Sequence, residues 1–242
     1  MNFTELWNLG ILFSGVEQVR TTGDQVLIVV GWVIAIVAAY LLGSINLSII
    51  ISSKFYNDDI RLHGSGNAGM TNVMRTYGKK MAIITFAGDF FKAVIASLVG
   101  RVLLGYPGAY IAGLFCFLGH IFPCFYKFKG GKGVVTAAAM ILMTNPLVCG
   151  ILFALFVMLV LATKFISLGS VVCLLAYPII LHRISGPGLP VLVAILMGVF
   201  CAYAHRGNIK RIMNGTERKF TFKVKDKKTV KQNQSANDIE EA

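Results

Sequence analysis

Charge is what this chain has least of. Only 14% of its 242 residues are Asp, Glu, Lys or Arg, whereas 56% are hydrophobic and the mean hydropathy is +0.71. A water-soluble domain carries about a quarter of charged residues, so this composition excludes one and places the chain in lipid. Paired cysteines are missing too: Cys116, Cys124, Cys149, Cys173 and Cys201 form no C-x-x-C and have no histidine at zinc-finger spacing. They read as small apolar packing residues, which argues against a metal centre or a disulfide framework. No basic patch interleaved with aromatics points to nucleic acid. No basic n-region with a cleavage site opens the chain, so residues 1–24 read as a retained extension whose apolar piece, Leu9 to Val16, is too short to span. Finally, no serine, cysteine or aspartate sits in a nucleophile motif, which argues against a covalent enzyme intermediate.

What charge there is has one sign and a pattern. The formal net charge is +12 and the sequence pI about 9.6, which in a membrane chain speaks first of orientation and anionic headgroups. Apolar runs at Val26–Ile51, Met81–Leu104, Tyr110–Tyr126, Ile166–Leu181 and Val191–Ala204 read as spans. Residues 134–163 hold no charge over 30 positions, a length of about 45 Å as one helix against a hydrocarbon core of about 30 Å. Asn145-Pro146 near the middle suits two spans folded into a hairpin, which makes about seven helices. With seven, the segments 52–80, 127–133, 164–170 and 205–242 emerge on one side and carry 19 of the 23 lysines and arginines. The positive-inside rule makes that side cytoplasmic, with the N-terminus outside, the C-terminus inside and a transmembrane domain over 25–216. The remaining 217–242 form a basic, then acidic, tail that reads as disordered from about Lys225.

Two glycine-rich stretches lie on that face. In Gly64-Ser65-Gly66-Asn67-Ala68-Gly69-Met70-Thr71-Asn72, three glycines in six residues let successive N–H groups point into a concavity that suits an anion. Ser65, Asn67, Thr71 and Asn72 add donors, Arg75 supplies a fork for phosphate oxygens, and a helix starting near Thr71 aims its positive end there. The second stretch is Lys127-Phe128-Lys129-Gly130-Gly131-Lys132-Gly133. Lys127 and Lys129 read as a solvated flank and His120 as a packed histidine, while His63 fits either role. Asp89 and Lys92 share one helix face within a span, either as a functional pair or as an ion pair locking helices beneath the site. Polar chemistry at the water boundary suits a reaction between a lipid-soluble partner and a soluble anion, since transport sites sit at mid-membrane on broken helices. A transporter of phosphorylated or anionic solutes is the rival, with only Asp89 as a coupling carboxylate.

These stretches, followed by Gly130-Gly131-Lys132-Gly133-Val134-Val135-Thr136 and then His205-Arg206-Gly207-Asn208-Ile209-Lys210-Arg211 with Gly215 and Glu217, resemble the three signatures of the acyl-phosphate-dependent glycerol-3-phosphate acyltransferases, the PlsY family. Gly119-His120 and Ser167-Leu168-Gly169-Ser170 also look like family positions, and the ordered resemblance runs from about Tyr40 to Phe220. It implies an all-α integral membrane enzyme of the bacterial inner membrane, a bundle of about seven helices with its active site on polar cytoplasmic loops, and no cofactor or metal. The implied reaction, at the start of phospholipid synthesis, moves an acyl group from acyl phosphate to the 1-hydroxyl of glycerol 3-phosphate, giving lysophosphatidate and phosphate. An enzyme producing acyl phosphate is an implied partner. By the resemblance Ser65, Asn67, Gly69, Thr71 and Asn72, with Gly64 and Gly66, hold the acyl phosphate's phosphoryl group. Arg75, Lys132, His205 and Asn208, with Ser170 or Ser167 and the loop of Gly130, Gly131 and Gly133, hold glycerol 3-phosphate. Ser65, Thr71, Lys132, His205 and Asn208 are the expected catalytic set. The base is either His205 or a phosphoryl oxygen of the substrate itself. Ala93 stands where the family pattern leads one to expect glycine, and residues before 25 lie outside it. The His-x4-Asp dyad of acyl-CoA-dependent enzymes is absent, the positions after the four histidines being Ala68, Phe125, Pro187 and Lys210. Aromatic runs at Phe115–Phe125 and Phe153–Phe156 are candidates for the lining of an acyl groove.

Overall fold

A computed structural model describes residues 22–220, and within them every regular element is helical. The expected terminal extension and tail fall almost wholly outside the described residues. In chain order the α-helices are α1 (Thr22–Ser44), α2 (Leu47–Tyr56), α3 (Met70–Tyr77), α4 (Lys79–Ile121), α5 (Val134–Thr144), α6 (Pro146–Thr163), α7 (Ile166–Ser185), α8 (Leu189–Ala204) and α9 (Arg206–Met213).

As one rod, the 43 residues of α4 would reach about 65 Å, twice the hydrocarbon thickness. Gly105, at φ 66° and ψ −155°, a conformation closed to residues with a Cβ, breaks it, and Pro107 restarts the second arm. The arms fold back on each other, since a Cβ on Gly100 would lie 2.3 Å from the Gly108 carbonyl oxygen. The apolar stretch after the second glycine loop also folds as expected: Asn145 leaves the helix, accepts from the Val148 N–H at 3.1 Å and places Pro146 in the first turn of α6. Cys149 Sγ reaches the Ala138 carbonyl oxygen at 3.7 Å, a contact that a straight helix forbids across eleven residues.

The segments expected as spans correspond to α1, the two arms of α4, and α5 to α8. Taken as unbroken stretches, four are long and apolar enough to span, and α8, bent 58° from α9, makes a fifth. The segment count of seven is therefore approximate, and one expectation needs correction: α5, with 11 residues and about 17 Å of rise, is too short to cross by itself. The first span also differs from its expected single run, being interrupted at Ile45-Asn46 so that α2 starts anew.

The core joins the second arm of α4 to α5 through α8, around Tyr110, Phe117, Met140, Tyr177, Leu181 and Met197, all at most 1% exposed. α1 closes the other side by backbone approach: Cβ atoms on Gly43 and Gly119 would lie 2.1 Å from the Cys116 oxygen and 2.3 Å from the Tyr40 oxygen. Its outward face, with Val26, Leu27, Val29, Val33 and Ile34, is about half exposed or more, a surface suited to acyl chains rather than water.

Candidate active site

Among the helices that begin on the polar face, α3, α5, α7 and α9 start around the two loops, and none of them has a side-chain cap on its first N–H groups. Uncapped donors carry partial positive charge, so their convergence makes a site for anions. The first glycine loop leads into α3. Its shape is held by Asn72, 1% exposed, whose Nδ2 donates to the carbonyls of Ile60 (3.0 Å) and His63 (2.9 Å) while Oδ1 accepts from the Ser65 N–H (3.0 Å). Gly64 must lack a side chain there, because its φ is 60° and a Cβ would strike Asn72 Oδ1 at 2.2 Å.

The second loop lies against the first. Gly130 and Gly131 donate their N–H groups to the carbonyls of Ile121 (3.1 Å) and His120 (3.0 Å), at the end of α4. A Cβ on Gly131 would sit 2.1 Å from His120 Nε2 and 2.6 Å from the Ala68 carbonyl oxygen, so the strands of the two loops touch backbone to backbone. Arg61 ties them further: clamped by Asp59 at 2.7 Å, it donates to the carbonyls of Tyr126 (3.1 Å) and Lys129 (3.3 Å). Between these carbonyls Lys127 and Phe128 both stand at φ 56°, a costly conformation for large side chains that Arg61 holds in place.

From the second loop Lys132 crosses to α9, where Nζ donates to Asn208 Oδ1. Asn208 Nδ2 donates to Glu217 Oε1, which also accepts from Ser167 Oγ at 2.8 Å, and Arg211 Nε meets Glu217 Oε2 at 2.7 Å. The chain Lys132–Asn208–Glu217–Ser167 thus links the starts of α5, α9 and α7. Burial pushes the Glu217 carboxyl up, but the hydrogen bonds from Asn208, Ser167 and Arg211 outweigh it and hold it below its ordinary value. Lys132 is drawn down to about 8, by burial first and despite Glu217. His205, 2% exposed between α8 and α9, is lowered to about 4 by burial and then by Lys132. Neutral His205 donates from Nδ1 to the Cys201 carbonyl oxygen at 2.9 Å, which leaves Nε2 as its acceptor end. Burial is the larger cause of both shifts, and the neighbouring positive charges, Arg211 and Arg75 beside Lys132 and Lys132 beside His205, add to it.

This arrangement can be set beside known proteins. The family model described as glycerol-3-phosphate acyltransferase matches residues 33–215. The chain belongs to the glycerol-3-phosphate acyltransferase family. A relative of that name from Finegoldia magna is 42% identical over 184 residues, covering 76% of this chain and 93% of the relative. Crystal structures of PlsY, an integral membrane glycerol 3-phosphate acyltransferase, match in two forms. The glycerol 3-phosphate form has TM-score 0.74 at 35% identity over 78% of this chain and 96% of PlsY. The lysophosphatidic acid form has TM-score 0.72 at 34% identity over 78% and 95%.

Within this member of the family, Lys132, Asn208, Ser167 and Glu217 meet directly, and Gly131 and Ala68 join the loops. Ser65 and Gly66 are exposed and Asn67 and Thr71 half-buried in the first loop, with Arg75 on the exposed side of α3. Some expected groups are committed elsewhere. Both ends of the Asn72 amide shape the loop, the N–H groups of Gly130 and Gly131 bond α4, and Ser170 Oγ donates to its own helix at Ile166 (2.9 Å). Of the two serines, Ser167 is the one in the polar chain. Sequence reasoning passed over Arg61, Arg211 and Glu217 as site residues, and the network uses Glu217 although it lies one position past the expected boundary at 216. A signal existed, since no acidic residue lies between Asp89 and Glu217.

Proposed function

We propose that the protein transfers a fatty acyl group from acyl phosphate to the 1-hydroxyl of sn-glycerol 3-phosphate, without an acyl-enzyme, as an opening step of phospholipid synthesis. The observation carrying this reading is the meeting of two backbone-joined glycine loops with Lys132, Asn208 and His205 at the uncapped starts of α3, α5, α7 and α9. That is provision for two phosphate groups side by side. The loop of Ser65 to Thr71 suits the phosphoryl group of acyl phosphate, and Lys132, Arg75, Ser167, Asn208 and His205 suit glycerol 3-phosphate. Acyl phosphate is a mixed anhydride, activated already, so the protein has to align the hydroxyl, stabilise the oxyanion and dispose of one proton. The hydroxyl oxygen bonds the carbonyl carbon, the bond from that carbon to the bridging phosphate oxygen breaks, and the proton leaves with the inorganic phosphate. A phosphoryl oxygen with pKa of about 6 is a better acceptor than an imidazole at about 4, so the substrate serves as base and His205 orients.

The donor partitions in the bilayer and glycerol 3-phosphate comes from the cytoplasm, the side on which 19 of 23 basic residues fall. The deciding assay incubates purified protein in detergent with acyl phosphate and glycerol 3-phosphate and follows phosphate release and lysophosphatidate. Release should require glycerol 3-phosphate and should not be supported by acyl-CoA. Equal release without the acceptor overturns acyl transfer, and vesicle uptake of glycerol 3-phosphate without product would establish the transporter.

A further inference from the structure

Beneath the two loops lies a charged cluster that the proposed chemistry does not use. Lys92 and Asp89, on the first arm of α4, have side chains 5% and 3% exposed, with Nζ 2.9 Å from Asp89 Oδ1. His120, from the end of the second arm, brings Nδ1 to 3.1 Å from Lys92 Nζ and 3.4 Å from Asp89 Oδ1. Charges inside a bundle are expensive, and an isolated pair needs no more than mutual neutralisation.

Lys92 does more than that. Nζ donates to the carbonyls of Gly43 (3.0 Å) and Ile45 (2.7 Å), which flank the break between α1 and α2. Carbonyls at a helix end have no intrahelical partner, so the ammonium caps the break from the side. Asn46, fully buried within that break, caps α2 through the Ile49 N–H (3.2 Å) and donates Nδ2 to the Ala68 carbonyl (3.3 Å) of the first glycine loop. On the other flank the His120 carbonyl receives the Gly131 N–H (3.0 Å) of the second. A charged Lys92 donating to Nδ1 leaves the imidazole proton on Nε2, the nitrogen facing Gly131. The contacts thus form a circuit: first loop, Asn46, helix break, Lys92, His120, second loop, and back to the first where Gly131 meets Ala68.

We propose that Lys92, with Asp89 as its counter-ion, is a positioning residue that sets the separation of the two glycine loops and hence of the two bound phosphates. The inference rests on the reading of those loops as the cradle for both substrates. Lys92→Met alone would strand a buried carboxylate, so the test replaces both members, Asp89→Asn with Lys92→Met. Exchanging the pair for neutral residues avoids a stranded charge, but it leaves the Gly43 and Ile45 carbonyls without their donor, so some loss of thermal midpoint accompanies it. In the assay above, the folded double variant should show a KM for glycerol 3-phosphate at least tenfold higher. The thermal stabilisation by glycerol 3-phosphate should disappear, and kcat should fall less than KM rises. A pair that only anchors helices leaves both kinetic constants within about twofold, and that result overturns the proposal. Asn46→Ser provides the second arm and decides should the double variant not fold: serine still caps α2 but cannot reach Ala68, so KM should rise without loss of stability. An unchanged KM in Asn46→Ser overturns the circuit. Absence of acyl transfer by the native protein would instead defeat the reading of the site, whereas an active native protein with two native-like variants defeats the positioning inference alone.

Discussion

Lys132 illustrates how a single residue's electrostatics become a measurable pH dependence. With its free-enzyme value lowered to about 8, it is charged below that pH, and a bound phosphate favours the charged form and raises the value further. Once the phosphate is dianionic, above about pH 7, affinity for glycerol 3-phosphate should therefore be flat up to pH 8 and weaken beyond it, by up to tenfold per unit, until the bound-state value is passed. KM profiles from pH 6 to 10 check this, and Lys132→Met should remove the slope together with most of the affinity. His205 makes the complementary case: if it orients rather than accepts the proton, His205→Gln should retain more than about a tenth of kcat, a loss of only ~1.4 kcal/mol, whereas a drop of several thousandfold at unchanged KM would make it the base. Cys201 Sγ stands 3.4 Å from His205 Nδ1 and is the group that a covalent mechanism would recruit. It is fully buried in α8, so Cys201→Ala should retain at least half the activity, and trapping of an acyl-cysteine in the native protein would contradict direct transfer. At this scale part of the polar network was legible, because lysine, asparagine and serine beside glycine advertise anion binding by type, and Lys132, Asn208 and Ser167 do join one network. Asn72, Gly130 and Gly131 lie in the expected loops, where their hydrogen bonds hold loop shape. Amides and backbone N–H groups serve loop shape as readily as ligand, and only coordinates distinguish the two.

At the scale of elements, three breaks place the site, and they differ in how far composition foretold them. Gly105 with Pro107 and Asn145 with Pro146 carry ordinary punctuation, a positive-φ glycine or a capping side chain before proline, and both hairpins were expected from it. The interruption at Ile45-Asn46 has no glycine or proline within it and was read as continuous helix. What makes it possible is the ammonium of Lys92, supplied from more than forty residues away, and no local pattern reveals such a partner. Buried Ser44, Asn46 and Ser48 did hint that this stretch faces other helices rather than lipid. The Asn145 cap gives a test of hairpin energetics separate from chemistry. Removing it by Asn145→Ala leaves the Val148 N–H unpaired at a cost of about 1 kcal/mol, equivalent to a fall of ~2–4 °C in thermal midpoint for a chain of this size. Because α5 separates Asn145 from Lys132 by its whole length, kcat and KM should not move. A kinetic effect without thermal loss would mean that the hairpin turn couples to the site.

For the whole molecule the question is which way it faces, and the parity of its helices supplies a physical prediction. Insertion places positive loops on the cytoplasmic side, so the seven crossings expected from the sequence, with basic segments at alternate turns, predict that 127–133 lies inside and 183–188 outside. In the structure the loop at Lys127 to Gly133 and the turn at Ser185 to Gly188 lie at opposite ends of α7, as Ser167 in the first turn of α7 joins the Lys132 network while Ser185 ends that helix. The substrates impose the same requirement, because glycerol 3-phosphate is a cytoplasmic anion that does not cross lipid. In a chain whose five cysteines are replaced by alanine, exposed Lys127→Cys and Ser185→Cys report the two faces without touching the site. A membrane-impermeant thiol reagent added to intact cells should modify Ser185→Cys and spare Lys127→Cys, and inverted membrane vesicles should give the reverse. Labelling of Lys127→Cys from outside would turn the bundle over and put the Lys132 network on the face away from cytoplasmic glycerol 3-phosphate.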